Sequence, residues 1–145
     1  MEVLKFSFNE MDFMSRMIAK KCKELDFSHV VGIARGGLIP ATIISYELNI
    51  PLVTCSVSSY NGIDKNELNV TEDLKISRFT KTSNLLLVDD ICDTGETMQW
   101  LSNKLNVGNI KHMKACIFTK SKHTEYLDHY GSVVPDDKWI VFPWE

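Results

Sequence analysis

Long apolar runs and helix-spaced apolar positions take turns along this chain. The clearest run is Leu85-Leu86-Leu87-Val88, which leads straight into Asp89-Asp90 and the turn Asp93-Thr94-Gly95-Glu96-Thr97. A continuous apolar run bounded by turn residues reads as a strand buried on both faces, as in a parallel sheet. Residues 29–34, 52–57 and 110–118 read as further strands, the last with Met113, Ala115 and Ile117 in alternation. Elsewhere the spacing is helical. Asn9 is placed as an N-cap, followed by an apolar set at Met11, Met14, Met17, Ile18 and Leu25. A second helix is expected from the turn at 35–37 to about residue 48, and a third over 98–105 with its C-cap near Gly108. Residues 1–8 alternate loosely and read as a short strand, and residues 130–134 read as another. The stretch 61–75 is polar with little periodicity, a surface loop or a mobile lid. Strands alternating with helices predict an α/β fold with a doubly wound, mainly parallel sheet flanked by helices.

Composition narrows the classes. At 145 residues the chain is expected to be one domain, 1–145, large enough to bury a core. The net charge of −3 offers no broad basic footprint, so no nucleic acid partner is expected. Cys22, Cys55, Cys92 and Cys116 are widely spaced, without metal-ligand or redox spacing, and read as buried free thiols. No segment approaches the length of a membrane span and the N-terminus lacks a signal peptide's apolar core, which makes cytoplasmic the expected location.

The chemistry gathers at strand ends. Asp89 and Asp90 sit at the carboxyl end of a buried strand, the edge at which open α/β sheets bind ligands. The turn that follows is small, polar and placed at a helix start, where free backbone N–H groups and the helix dipole hold anions such as phosphate. It is neither the glycine-rich dinucleotide fingerprint nor a P-loop. At the end of residues 29–34, Arg35-Gly36-Gly37 provides close backbone approach and a fixed positive charge suited to phosphate oxygens. Lys120 follows a strand, where most lysines are solvated. His123 and His129 read as surface residues. Trp144 reads as a packing clasp for the chain end.

The order of these stretches resembles the type I phosphoribosyltransferases, and most nearly their bacterial xanthine-guanine (hypoxanthine) branch, over roughly residues 9–145. The resemblance implies that fold, with a small hood formed by the chain ends. It implies that Asp89, Asp90, Asp93, Thr94, Gly95, Glu96 and Thr97 bind the ribose 5-phosphate part of phosphoribosyl pyrophosphate (PRPP), with the Glu96 side chain turned outward. Arg35 and Gly36 match the pyrophosphate loop. Ser59 and Tyr60 match a Ser-Tyr pair that opens a flexible loop. The arginine of that loop in the bacterial branch falls on Asn66 here, with Lys65 beside it as a candidate replacement. Lys120 falls where a lysine bonds the exocyclic oxygen of a 6-oxopurine, and Trp139 and Ile140 fall where a tryptophan stacks on the purine and the next residue's backbone contacts its edge.

The implied reaction joins PRPP to guanine, xanthine or hypoxanthine and releases pyrophosphate. Mg²⁺ is the implied cofactor, with Asp90 as its protein ligand, and Asp93 is the implied catalytic carboxylate near the purine N7. A homo-oligomer, dimer or tetramer, is expected by the same resemblance. Two alternatives stay open: a nucleotide-binding regulator on this fold, and a phosphoribosyltransferase acting on a different base.

Overall fold

The structure is a computed structural model, and it describes residues 2–59 and 68–145. Within these residues, eight strands and three α-helices follow one another as β1 (Glu2–Lys5), α1 (Phe8–Cys22), β2 (His29–Ala34), α2 (Leu38–Leu48), β3 (Leu52–Ser59), β4 (Leu68–Glu72), β5 (Asn84–Cys92), α3 (Glu96–Val107), β6 (Lys111–Thr119), β7 (His129–Val133) and β8 (Lys138–Val141).

Six strands form one sheet in the order β4-β3-β2-β5-β6-β7. Every pairing in it is parallel except that of β3 with β4. The apolar runs fill its centre: Val30, Val31, Leu85, Leu86, Leu87 and Val88 are fully buried. One core, on the side of α1 and α2, takes Val30, Leu86, Val88 and Ile117. The other, on the side of α3, takes Val31, Ile33, Leu85 and Leu87. This is the doubly wound arrangement that the alternation of strands and helices predicts.

The strand order matters for function. The chain leaves β2 through α2 toward β3, and leaves β5 through α3 toward β6, on the other side. The order therefore reverses between β2 and β5, the switch point where open α/β sheets hold ligands. The Arg35-Gly36-Gly37 turn and the Asp89–Thr97 segment leave from these two strands.

Several local readings need correction. Ser7, not Asn9, caps α1: its hydroxyl accepts from the Glu10 N–H at 3.2 Å, and the Glu10 carboxylate accepts from the Ser7 N–H at 3.1 Å. This reciprocal box satisfies two donors where one Asn would satisfy one. Met17 is 42 % exposed, outside the apolar face assigned to it, and Leu25 falls in a short 3-10 turn beyond the helix. Part of the polar stretch is the antiparallel edge strand β4, whose residues are mostly exposed. The alternation in Leu68-Asn69-Val70-Thr71 is short and sits within a polar stretch, too weak a signal to mark an exposed edge strand. The C-cap of α3 is Gly108 as expected, but the left-handed residue that turns the chain is Asn109 (φ 56°).

The hood is a separate two-stranded parallel sheet in which β1 lies along β8, with Val3 opposite Trp139 and Leu4 opposite Ile140. Phe6 follows and packs on Phe118, the ring centroids 4.5 Å apart. Trp144 lies parallel to Phe142 at 5.0 Å and beside Phe8, the clasp that its position suggested.

Candidate active site

The site lies where β2 and β5 end. β5 carries its acids within its last residues, still in register with β6: Asp89 opposite Cys116, Cys92 opposite Thr119. The Asp89 side chain accepts from the Asp90 N–H at 2.8 Å, and the Asp90 side chain accepts from the Ile91 N–H at 2.7 Å. Loss of surrounding water and the neighbouring Asp90 charge push the Asp89 carboxyl well above the usual carboxylate range. Burial pushes Asp90 up as well. Two half-buried carboxyls side by side resist full ionisation until a cation or hydroxyl donors arrive.

Past the acids the chain turns through Gly95 (φ 81°), which caps α3 with no side chain of its own. A left-handed residue is required here, and glycine adopts that conformation without strain. The Thr94 hydroxyl accepts from the Glu96 N–H at 3.3 Å. A hollow of about 310 Å³ lies over this turn, bordered by Gly36, Asp89, Asp90, Asp93, Thr94, Gly95 and Thr97 among others. Glu96 does not border it.

On the other side of Asp90, a second hollow of about 180 Å³ is bordered by Asp90, Asp93, Lys120, Lys138, Trp139, Ile140, Phe142 and Glu145. Lys120 is only 5 % exposed, and its ammonium donates to the carbonyls of Pro135 at 2.8 Å and Lys138 at 3.1 Å. An ammonium has three donors, so one remains for a ligand. Trp139 is 58 % exposed, an open aromatic face at the rim, while Ile140 is buried. A third hollow, of about 560 Å³, is bordered by Arg35, Gly36, Asp90, Trp144 and Glu145. Asp90 borders all three hollows.

Gly36 and Gly37 are fixed by close approach rather than by backbone angle. A Cβ at Gly36 would collide with the Asp90 carboxylate. One at Gly37 would meet the Val88 carbonyl and lie 2.8 Å from both the Asp89 Cα and the Ile33 carbonyl oxygen. The Ala34–Arg35 peptide ahead of them is cis.

The structure thus brings together Arg35, Gly36, Asp89, Asp90, Asp93, Thr94, Gly95, Thr97, Lys120, Trp139 and Ile140 around three adjoining hollows. Ser59 ends β3, whereas Tyr60, Lys65 and Asn66 lie outside the described residues. Among the described residues no three His, Cys, Asp or Glu side chains converge as a protein-only metal cage. All four cysteines are buried and free, and burial pushes Cys22 up to about 11 and Cys55 up to about 12. Cys92 borders the first hollow, and a hydrogen bond with Cys116 lowers its thiol.

Sequence reasoning overlooked Lys138, Phe142 and Glu145, which wall the second hollow, and His123, whose Nε2 lies 2.7 Å from the Asp93 carbonyl. The resemblance covered the Trp-Ile pair between the wall residues. Nothing in the run Lys120-Ser121-Lys122-His123 distinguishes the histidine from a solvated one.

The family model for the phosphoribosyl transferase domain matches residues 9–145. The chain belongs to the phosphoribosyltransferase family. The xanthine-guanine phosphoribosyltransferase of Idiomarina loihiensis is 32 % identical over 142 residues, which cover 96 % of this chain and 84 % of the relative. That of Chromohalobacter salexigens is 34 % identical over 131 residues, 90 % of this chain and 76 % of the relative. Among solved structures, the purine phosphoribosyltransferase of Pyrococcus horikoshii superposes with a TM-score of 0.83 at 32 % identity, covering all (100 %) of this chain and 95 % of that one. The Helicobacter pylori xanthine-guanine-hypoxanthine phosphoribosyltransferase, 20 % identical with a TM-score of 0.81, covers 97 % of this chain and 92 % of its own and shares the fold.

Proposed function

We propose that this phosphoribosyltransferase transfers ribose 5-phosphate from PRPP to a 6-oxopurine, giving a nucleoside monophosphate and pyrophosphate. The observation that carries the reading is the position of Asp90 at the junction of three hollows. A substrate with a phosphate end, a central ribose and a pyrophosphate end needs such a junction, with the base entering from the third direction.

In this reading the backbone N–H groups of Asp93 to Thr97 and the Thr94 and Thr97 hydroxyls hold the 5-phosphate. Asp89 and Asp90 accept from the ribose hydroxyls. Gly36 lets the chain approach the pyrophosphate and Arg35 balances its charge. Lys120 gives its free N–H to the exocyclic oxygen of the base, over which Trp139 stacks. The Ile140 backbone meets the purine edge. As positive charge develops on the sugar, the Asp93 carboxylate stabilises it or accepts the purine N7 proton. The donor set fits Mg²⁺, a hard cation that needs only one or two carboxylates beside substrate oxygens, with Asp90 as its protein ligand. Bound there, it would neutralise and orient the leaving pyrophosphate.

We also assign the chain to a single domain, residues 1–145, acting in the cytoplasm on small molecules rather than nucleic acid. We assign it a homo-oligomeric state, dimer or tetramer.

The test is nucleotide formation from PRPP and Mg²⁺ with guanine, xanthine, hypoxanthine, adenine, uracil or orotate offered singly, with Asp93→Asn as control. Turnover is expected with the 6-oxopurines alone, reduced in the control by about 100-fold or more. Turnover with orotate or uracil would overturn the roles of Lys120 and Trp139. Saturable PRPP binding without turnover would turn the reading to a nucleotide-binding regulator.

A further inference from the structure

Two hydrogen bonds reach the phosphate turn from behind, both from the segment that follows β6. The Lys120 N–H donates to the Cys92 carbonyl at 3.2 Å. The His123 ring donates from Nε2 to the next carbonyl, that of Asp93, at 2.7 Å. A carbonyl only accepts, so this bond puts a proton on Nε2. His123 does not border the hollow. Its ring backs the turn instead: a Cβ at Gly95 would lie 3.3 Å from Cε1 and 3.5 Å from Nδ1. The histidine is itself held rigidly. Its N–H donates to the Lys120 carbonyl at 3.0 Å, and its own carbonyl accepts from Tyr126 at 3.1 Å and Leu127 at 3.2 Å.

From this geometry we propose that His123 is a positioning residue for the phosphate site, holding the Asp93 carbonyl so that the Thr94 N–H is aimed at the bound 5-phosphate. A trans peptide is planar, and its C=O and N–H point in opposite directions. Fixing the Asp93 carbonyl onto His123 behind the turn therefore turns the Thr94 N–H to the opposite side, where the hollow lies. The same bond steadies Asp93, which borders both the phosphate hollow and the base hollow. Lys120 and His123 are three residues apart on one short turn. One rigid segment thus serves the base with its lysine and the phosphate with its histidine. The proposal rests on the assignment of this turn to the 5-phosphate.

Two substitutions separate positioning from packing. His123→Gln keeps an N–H donor at about the reach of Nε2. His123→Leu keeps bulk against Gly95 and loses the donor. The first readout is the affinity for ribose 5-phosphate by calorimetry, which needs neither base nor turnover. The leucine variant is expected to bind it about tenfold more weakly, with the melting temperature and the KM for guanine little changed. The glutamine variant is expected to bind within about threefold of the wild type. Unchanged affinity in the leucine variant would overturn the proposal. So would a parallel loss of affinity, guanine KM and melting temperature in both variants, since that is what a packing role produces. If ribose 5-phosphate binding follows the proposal and no base is turned over, the reaction assignment falls and the role of His123 stands. A wild-type protein that does not bind ribose 5-phosphate overturns both.

Discussion

At the scale of single residues, the two glycines after β2 make opposite predictions from the same chemistry. Gly36→Ala puts a methyl group into the Asp90 carboxylate, which can swing aside. Folding should survive, while kcat/KM for PRPP falls by about 100-fold because the displaced carboxylate meets the ribose from the wrong place. Gly37→Ala puts the methyl group against the backbone of Val88, Asp89 and Ile33, which cannot swing. That variant should lose stability outright, by roughly 3 kcal/mol or more, a magnitude read from denaturant melts. The acid pair makes a pH prediction. Asp89 has its folded pKa raised, so the folded state binds a proton more readily than the unfolded chain does. Its contribution to stability is complete below the unfolded pKa of about 4 and is lost as pH rises through the raised value. In the free protein, Asp89→Asn should therefore gain on the wild type as pH increases across that window, by a few degrees (about 2–5 °C) in Tm. Comparing the two proteins cancels His129, whose burial lowers its pKa and whose effect runs in the other direction. A gap that is constant from pH 4 to pH 8 would show that Asp89 ionises freely. The acids and the glycine pair were legible as an ordered pattern at two strand ends, and Lys120 through the family resemblance, since most lysines after a strand are solvated. His123 was not, because its role lies in a bond across thirty residues of chain that no local pattern records.

At the scale of elements, what could be read follows burial. β2 was read to its exact ends, and β5 and β6 were found because each is apolar through the middle of a sheet. β4 was missed because it is an exposed edge. Loose alternation suggested the strand at the N-terminus, but the hood as a unit came from the family resemblance. Its strand β1 has exposed residues along most of its length and pairs with a strand more than a hundred residues away. A parallel pair of strands standing alone is marginal in water. This pair holds because Leu4 and Phe6 pack on the first core and the Lys138 ammonium is paired with Glu2. β8 in turn carries Lys138, Trp139 and Ile140 into the base hollow. The N-terminal strand is thus a brace for the base wall. Removing residues 1–5 should raise the KM for guanine by about tenfold or more, because the wall loses its partner strand, and leave PRPP affinity within about twofold. An equal loss for both substrates would mean that the strand supports the sheet as a whole.

At the scale of the whole molecule, α2 decides the last prediction. Apolar residues surround it: Pro40, Ala41 and Ile44 are buried inward, yet Ile39, Thr42, Ile43 and Tyr46 follow the i, i+3, i+4, i+7 spacing of an outward stripe. Periodicity therefore revealed a helix at 38–48 but could not tell its inside from its outside. Tyr46 is 80 % exposed, and on neighbouring α1 so are Phe13 (65 %) and Met17 (42 %). The Thr42 hydroxyl is already bonded within the helix at 2.7 Å. The one charge on α2, Glu47, is paired with Arg16 of α1. A helix apolar on all sides is normally buried, and this stripe sets no like charges against each other when it meets a copy of itself. A dimer formed there would also seat the partner on the helix that starts at the Arg35-Gly36-Gly37 turn. Sedimentation should show a dimer or a larger even assembly. Ile43→Glu and Tyr46→Glu should shift it to monomer, by burying an unpaired charge at the contact. The monomer should bind PRPP several-fold more weakly while keeping its Lys120 and Trp139 base contacts, since only the pyrophosphate turn has lost its support. A wild-type monomer, or glutamate variants that still assemble, would place the contact elsewhere and leave the apolar stripe of α2 without this role.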